Sequence, residues 1–219
     1  MKKYLEILKK CSLFDQIDDE NLLRMLNCLG AKVEFFDKKY TVIAEGNTAK
    51  YIGIMLSGSA HITKSDFYGN RSIISTIEES ESFAEAFACA GMQTIPVTIT
   101  AIEPCEVMFI DSGHIMHTCS NNCGFHQQLI FNLMKSIAQK SLQFQQKIDI
   151  VSKRSTREKL MTYLAIQAKK SQSNSFDIPF NRQELADYLE VDRSGLSAEI
   201  SKLCNEGIIS SNKNHFELM

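Results

Sequence analysis

The chain has no Cys-x-x-Cys pair, no glycine-rich phosphate loop and no ordered Ser/His/Asp set in its 219 residues. The one enzyme class with candidate residues is a thiol peroxidase or reductase built on Cys119 or Cys123. It has none of those supports, and no catalytic residue is expected. No apolar run approaches the roughly 18 residues that a membrane span needs. The first residues lack the charged, apolar and cleavage regions of a signal peptide, so the expected setting is the cytoplasm, away from any membrane. No charge of one sign prevails either. Twenty-four Lys and Arg stand against 26 Asp and Glu, for a net charge of −2, which excludes a polybasic nucleic-acid coat. After Ile150 there are ten cations and nine anions. DNA affinity would have to come from local placement of charge and from a dimer that doubles the contacts. The seven cysteines are odd in number and scattered. In a reducing cytosol they are small buried hydrophobes or ligands rather than disulfides.

What is there is clearest from Phe180 to Met219. Asn181 and Glu184 have capping-box spacing, in which each side chain satisfies an orphan N–H at a helix start. Asp192 is a good N-cap for a second helix. Leu185, Ala186, Leu189, Val191, Leu196, Ile200 and Leu203 can share one small core where the two helices cross. Gly207 suits the left-handed position just past the second helix. Ile208-Ile209, a turn at Asn212-Lys213-Asn214 and Phe216-Glu217-Leu218 make a hairpin. Helix-turn-helix plus hairpin is a winged helix, whose second helix is shaped for the DNA major groove. Two crossing helices also occur in proteins that never touch DNA, so a protein-binding adaptor stays open. On the DNA reading, Arg193, Ser194 and Ser197 face the bases. Arg182 reaches a phosphate from the first helix, and Lys213 stands on the wing.

Upstream the period changes twice. Residues 1–30 look helical, with Leu22, Leu23, Met25, Leu26 and Leu29 on one side. Residues 31–111 switch to short apolar runs broken by turns, such as Tyr51 to Leu56, Ser72 to Ile77, Val97 to Ile102 and Glu106 to Ile110. Many short, closely spaced strands predict a β-barrel or jelly roll. From Phe125 to Val151 the pattern is helical again. Ile130, Ile137, Phe144 and Val151 recur every seven residues, with Met134, Ser141 and Ile148 at the complementary offset. A seam this regular is expected to be that of a homodimer coiled coil, with an intramolecular packing face as the alternative. Ser155 and Glu158 restart a helix that runs to about Lys169, and Ser171 to Ser175 form a polar loop. The fold class is α+β: a sensor β-roll with flanking helices over 1–124, a dimerisation helix over 125–152, and a winged helix over 153–219.

That order resembles the cyclic-AMP receptor/fumarate-nitrate regulator (Crp–Fnr) family of bacterial transcription factors over nearly the whole chain. The resemblance rests on Leu13-Phe14, Glu45-Gly46, Leu56-Ser57-Gly58, Gly69-Asn70-Arg71, Phe83-Ala84-Glu85-Ala86-Phe87, Cys105-Glu106-Val107, Arg182 to Ala186 and Val191 to Ser194. It implies a β-roll of the cyclic-nucleotide-binding kind that repositions two recognition helices on a pseudo-palindromic operator. It also implies RNA polymerase as a further partner. Family members commonly have a second base-reading arginine where this chain has Ala198, and Gly195 lies inside the same helix.

The effector pocket implied by the resemblance involves Phe83, Ala84, Glu85, Ile95 and Pro96. Family members that bind cyclic nucleotides hold the phosphate at a short helix start after Gly-Glu, with an arginine about ten residues on. A phosphodiester needs backbone N–H donors and a cation. Glu85 matches the family glutamate that contacts ribose, but the glycine is Ala84. The arginine is Ile95, and Pro96 follows where serine or threonine is usual. Cyclic AMP and cyclic GMP are therefore not the expected signal, and Glu85 is expected to cap a short helix. No cofactor is assigned. An iron–sulfur cluster needs closely spaced N-terminal cysteines, and Cys11 and Cys28 are far apart. A haem branch would use His61. His114, His117, Cys119, Cys123 and His126, with Cys105 upstream, offer a metal site for zinc or ferrous iron. They also offer a thiol switch if Cys119 and Cys123 pair. The bland reading of all six is packing and surface.

Overall fold

The computed structural model describes residues 1–116 and 124–219. His117, Cys119 and Cys123 lie outside the described residues. The chain forms two compact units. One is Met1–Lys64 with Ile74–Ser141, the other Ser65–Ile73 with Leu142–Met219. The long helix is divided between them at residues 141 and 142.

The N-terminal stretch, expected to be helical, forms two short α-helices. α1 (Leu5–Lys10) stops at Cys11, whose backbone turns extended, and a 3₁₀ turn (Ser12–Phe14) follows. α2 (Asp19–Cys28) starts afresh at Asp18, whose side chain accepts from the Asn21 N–H. The break lets Leu13 and Phe14 enter the core beside Leu8, Leu22 and Leu26.

The β-roll is two four-stranded antiparallel sheets. β1 (Lys32–Phe36), β3 (Tyr51–Ser57), β6 (Ser82–Phe83) and β8 (Cys105–Asp111) make one, in the order β1-β8-β3-β6. β2 (Thr41–Ile43), β4 (Ala60–Ser65), β5 (Arg71–Ile77) and β7 (Thr98–Ala101) make the other, in the order β2-β7-β4-β5. The first sheet is covered on both faces, which is why β3 and β8 read as unbroken apolar runs. Successive side chains alternate between faces. Ile52, Ile54, Leu56, Met108 and Ile110 join α1 and α2 in one core. Met55, Cys105 and Val107 join Ile43, Ile99 and Phe83 in the core between the sheets. Gly53 has a steric reason to be glycine: a Cβ there would lie 2.1 Å from the Phe83 ring.

α3 (Glu85–Cys89) follows β6, α4 (Ser112–Met116) follows β8, and α5 (Gly124–Val151) is the long helix. α6 (Thr156–Ser171) begins at a full capping box made by Ser155 and Glu158. The polar loop expected to end at Ser175 instead leads into a short strand, β9 (Ser175–Asp177). It joins β10 (Ile209–Asn212) and β11 (His215–Leu218) in the order β10-β11-β9. Between them lie α7 (Arg182–Leu189) and α8 (Arg193–Asn205). Leu160, Leu164, Leu185, Leu189, Leu196, Ile200, Leu203 and Phe216 form their common core. No helix among the described residues is long and apolar enough to cross a membrane.

Candidate nucleic-acid interface, helix stripe and sensor pocket

The helix-turn-helix is capped at each joint as its sequence requires. Asn181 accepts from the N–H groups of Gln183 and Glu184, and the Glu184 carboxylate accepts from the Asn181 N–H. Glu190 ends α7 in the left-handed conformation. Lys159 donates to the carbonyls of Leu189 and Glu190, placing a cation at the negative end of α7. Asp192 starts α8 by accepting from the Gly195 N–H at 2.9 Å and from the Ser194 hydroxyl. Those two donors hold its carboxyl below the usual carboxylate range. At the far end, Gly207 N–H reaches the Cys204 carbonyl and Ile208 N–H the Leu203 carbonyl. That pair of bonds is the Schellman closure, with Gly207 at φ +69. α8 is also held from the side: Arg157 on α6 makes a two-pronged pair with Glu206 and a further contact with Glu199.

With Leu196, Ile200 and Leu203 turned inward, α8 exposes Arg193, Ser194, Ala198, Ser201 and Lys202, with Ser197 half-buried. Arg193 has no ion-pair partner among the described residues. Ser194 is engaged by its own N-cap. Arg182 is not a free surface cation. It is half-buried, its guanidinium lies 5.6 Å from the Phe216 ring centre, and it reaches Ser211 and the Lys213 carbonyl. Burial lowers its pKa from the ordinary arginine value. It therefore clasps the start of α7 to the wing. Lys213 is exposed at the wing tip, left-handed at φ 56.

α5 has two unlike faces. Outward it exposes Phe131, Met134, Ser141, Leu142, Phe144 and Ile148. Ile130 and Ile137, expected in the seam, are half-buried against the core of their own, N-terminal unit. Val151 is half-buried. Inward, α5 carries a row of polar residues that sequence reasoning missed. Asn132 donates to the carbonyls of Leu13 and Asp15 at 3.0 and 2.8 Å. Ser136 and Lys140 meet Glu85. Lys147 lies 3.6 Å from the centre of the Tyr188 ring. Offsets of four, four and seven put these four on one helix face, a signal that was available beside the heptads.

At the corner between β6 and α3, Glu85 does not cap α3. The N-cap is Ala84, at φ 62 with no side-chain bond. That left-handed conformation costs alanine roughly 1–2 kcal/mol, where glycine would adopt it freely. The Glu85 carboxylate instead turns to α5, because burial demands a counter-charge that Lys140 supplies. Ile95 is buried and brings no cation, and Pro96 beside it is half-buried. Phe83 packs on Gly53 and edge-on against Phe109.

The histidine and cysteine cluster is only partly described. Cys105 is fully buried between the sheets. His126 is buried and its Nε2 donates to the Ile115 carbonyl at 2.7 Å, so that nitrogen has no lone pair for a metal. His114 is exposed beside Gly30. Among the described residues no group of three or more His, Cys, Asp or Glu side chains could hold an ion. Cys11 is buried and its thiol is pushed up to about 11 by burial, which makes it unreactive at neutral pH.

Residues 33–122 match the family model of the cyclic nucleotide-binding domain, and residues 158–219 that of the Crp-like helix-turn-helix domain. The transcriptional activator protein FnrL of Cereibacter sphaeroides is 23% identical over 187 residues, 78% of this chain and 69% of that protein. The c-di-GMP-responsive global regulator CLP of Xanthomonas campestris superposes with a TM-score of 0.76 at 15% identity, over 92% of this chain and 99% of that one. FixK2 of Bradyrhizobium japonicum superposes with a TM-score of 0.67 at 17% identity, over 86% and 92%.

Proposed function

Because the chain belongs to the Crp–Fnr family of transcription regulators, we propose that it works as a cytoplasmic homodimer on a pseudo-palindromic operator, under a signal other than cyclic AMP or cyclic GMP. The domains on this reading are residues 1–124, 125–152 and 153–219. The supporting observation is the two-sided character of α8: a leucine and isoleucine face anchored in the core, and an exposed face led by Arg193 at a capped helix start. Arg193, Ser194 and Ser197 read bases, Lys213 contacts the backbone from the wing, and Arg182 adds a phosphate contact while holding that wing. Dimerisation is supported by the outward stripe of α5. Met134 and Ile148 are each 62% exposed there, on the same helix as the exposed Phe131, Leu142 and Phe144, and a grouped exposed apolar surface marks an interaction site. RNA polymerase is the further partner.

The reading against cyclic nucleotides draws on Ala84, Ile95 and the engagement of Glu85 with Lys140. A ligand at 100 times its dissociation constant stabilises by about 2.7 kcal/mol. Cyclic AMP and cyclic GMP at millimolar concentration are therefore expected to leave the melting temperature unchanged, and a clear rise with either refutes this part. Selection from a randomised duplex library, with sedimentation of the complex, tests the rest. The expected result is an enriched inverted repeat bound by two chains. Recovery of random sequence only refutes the DNA-reading role.

A further inference from the structure

Glu85 is 2% exposed, and its Oε1 accepts from three donors. These are the Ser82 hydroxyl at 2.9 Å, the Ser136 hydroxyl at 3.4 Å and the Lys140 ammonium. Lys140 donates in addition to the Ser82 carbonyl. Ser82 belongs to β6 and Glu85 opens α3, while Ser136 and Lys140 are one turn apart on α5. The cluster therefore ties the β6–α3 corner to the long helix through side chains of the chain itself. A carboxylate this buried needs a charge partner, and the partner comes from α5, with no small molecule required. α3 is five residues long and its N-cap has no side-chain bond, so it has little local means of holding its own place. α5 then continues unbroken from Lys140 to Val151 and leads by a short turn into α6.

We propose that the Glu85–Lys140 pair is a built-in latch that takes the place of an effector, so that the ligand-free chain is the DNA-binding form. This rests on the regulator reading above. The ammonium holds the β6–α3 corner on α5 with no added molecule. A signal would then act by breaking the latch rather than by making it.

The test uses the purified full chain with no ligand added. The wild type alone should enrich an inverted repeat from the random library and bind the enriched duplex by fluorescence anisotropy. Glu81 also feels the Lys140 charge, so removing the cation is cleaner than removing the carboxylate. Lys140→Met, and the neutral double variant Glu85→Gln with Lys140→Met, should each weaken binding to that duplex by about tenfold or more, the size of a typical coupling between distinct sites. Sedimentation should still show a dimer, and circular dichroism a folded chain. Ser136→Ala removes one bond and no charge, and should weaken binding by about threefold. Should the Lys140 variants fail to fold, Ser136→Ala decides, and unchanged affinity overturns the latch. A folded double variant that binds as the wild type does overturns it too. So does a wild type that is inert alone and gains selective binding when the small-molecule fraction of a cell extract is added, an outcome that leaves the regulator reading standing. A wild type that enriches nothing with or without that fraction refutes the regulator reading itself.

Discussion

Lys147 is the residue with the strongest conflict between charge and place. It is 9% exposed, its Nζ has no hydrogen-bond partner, and the Tyr188 ring takes the position of a counter-ion. Burial pulls its pKa down to about 8; Glu190 opposes that fall and Lys159 adds to it. The folded value lies below the unfolded value of about 10.4. Between the two, the unfolded chain binds more protons, so the wild type gains stability as pH rises from about 8 to 10.4. Below pH 8 the buried charge costs on the order of 3 kcal/mol, offset in part by about 1 kcal/mol from the ring. Lys147→Met is therefore expected to be more stable than the wild type at pH 7 by about 1–2 kcal/mol. The gap should close by pH 10, as followed by urea unfolding at both values. A gap independent of pH would assign the effect to packing alone. Ala84 gives a second residue-scale prediction. Ala84→Gly should raise stability by about 1 kcal/mol through relief of the left-handed strain, read as an upward shift in the melting temperature.

At the scale of elements, the helix starts were legible because capping is local. Asn181 with Glu184, Ser155 with Glu158, and Asp192 each announce themselves within four residues, and the structure has all three. The two faces of α5 were harder to separate. Counting sevens from Ile130 selects Ile137, but these two lie toward the core of the N-terminal unit. The outward stripe runs through Phe131, Met134, Ser141 and Ile148. An apolar periodicity does not say which of two apolar partners a face meets. Polar residues turned inward, here the buried Asn132 and Ser136 and the half-buried Lys140, mark that side. Likewise the engagement of Glu85 could not be read locally, since Lys140 is 55 residues away in sequence. This division predicts different outcomes for neighbouring substitutions. Met134→Glu with Ile148→Glu should give folded monomers by sedimentation. Ile137→Glu should instead lower the melting temperature of the sensor unit by burying an unpaired charge. If Ile137→Glu is stable and monomeric, the seam runs through Ile137 after all.

For the whole molecule, near-neutral charge makes DNA binding a matter of a few placed cations, which the proposed dimer would double. A dimer doubles each contact, with half-sites about one helical turn, 10–10.5 base pairs, apart. Arg193 is the exposed cation at the start of α8, and its neighbours on that face are Ser194, Ala198 and Ser201. Arg193→Ala is expected to cost roughly 1–3 kcal/mol per half-site and to relax preference at one base position. Arg182→Ala should act differently, because Arg182 lies between α7, Ser211 and the Phe216 ring. It should weaken all duplexes by about the same factor, flatten the salt dependence by about one phosphate per subunit, and loosen the wing. With Ala198 in place of a second long donor, discrimination between operator and random DNA should respond more to Arg193 than to any other single residue. Anisotropy titrations of both variants on operator and scrambled duplex, at two salt concentrations, separate these effects. Should Arg193→Ala weaken both duplexes equally, Arg193 is a phosphate anchor. Base reading would then pass to Ser194, Ser197 or the Lys213 wing, and the operator preference would come from the shape and flexibility of the duplex.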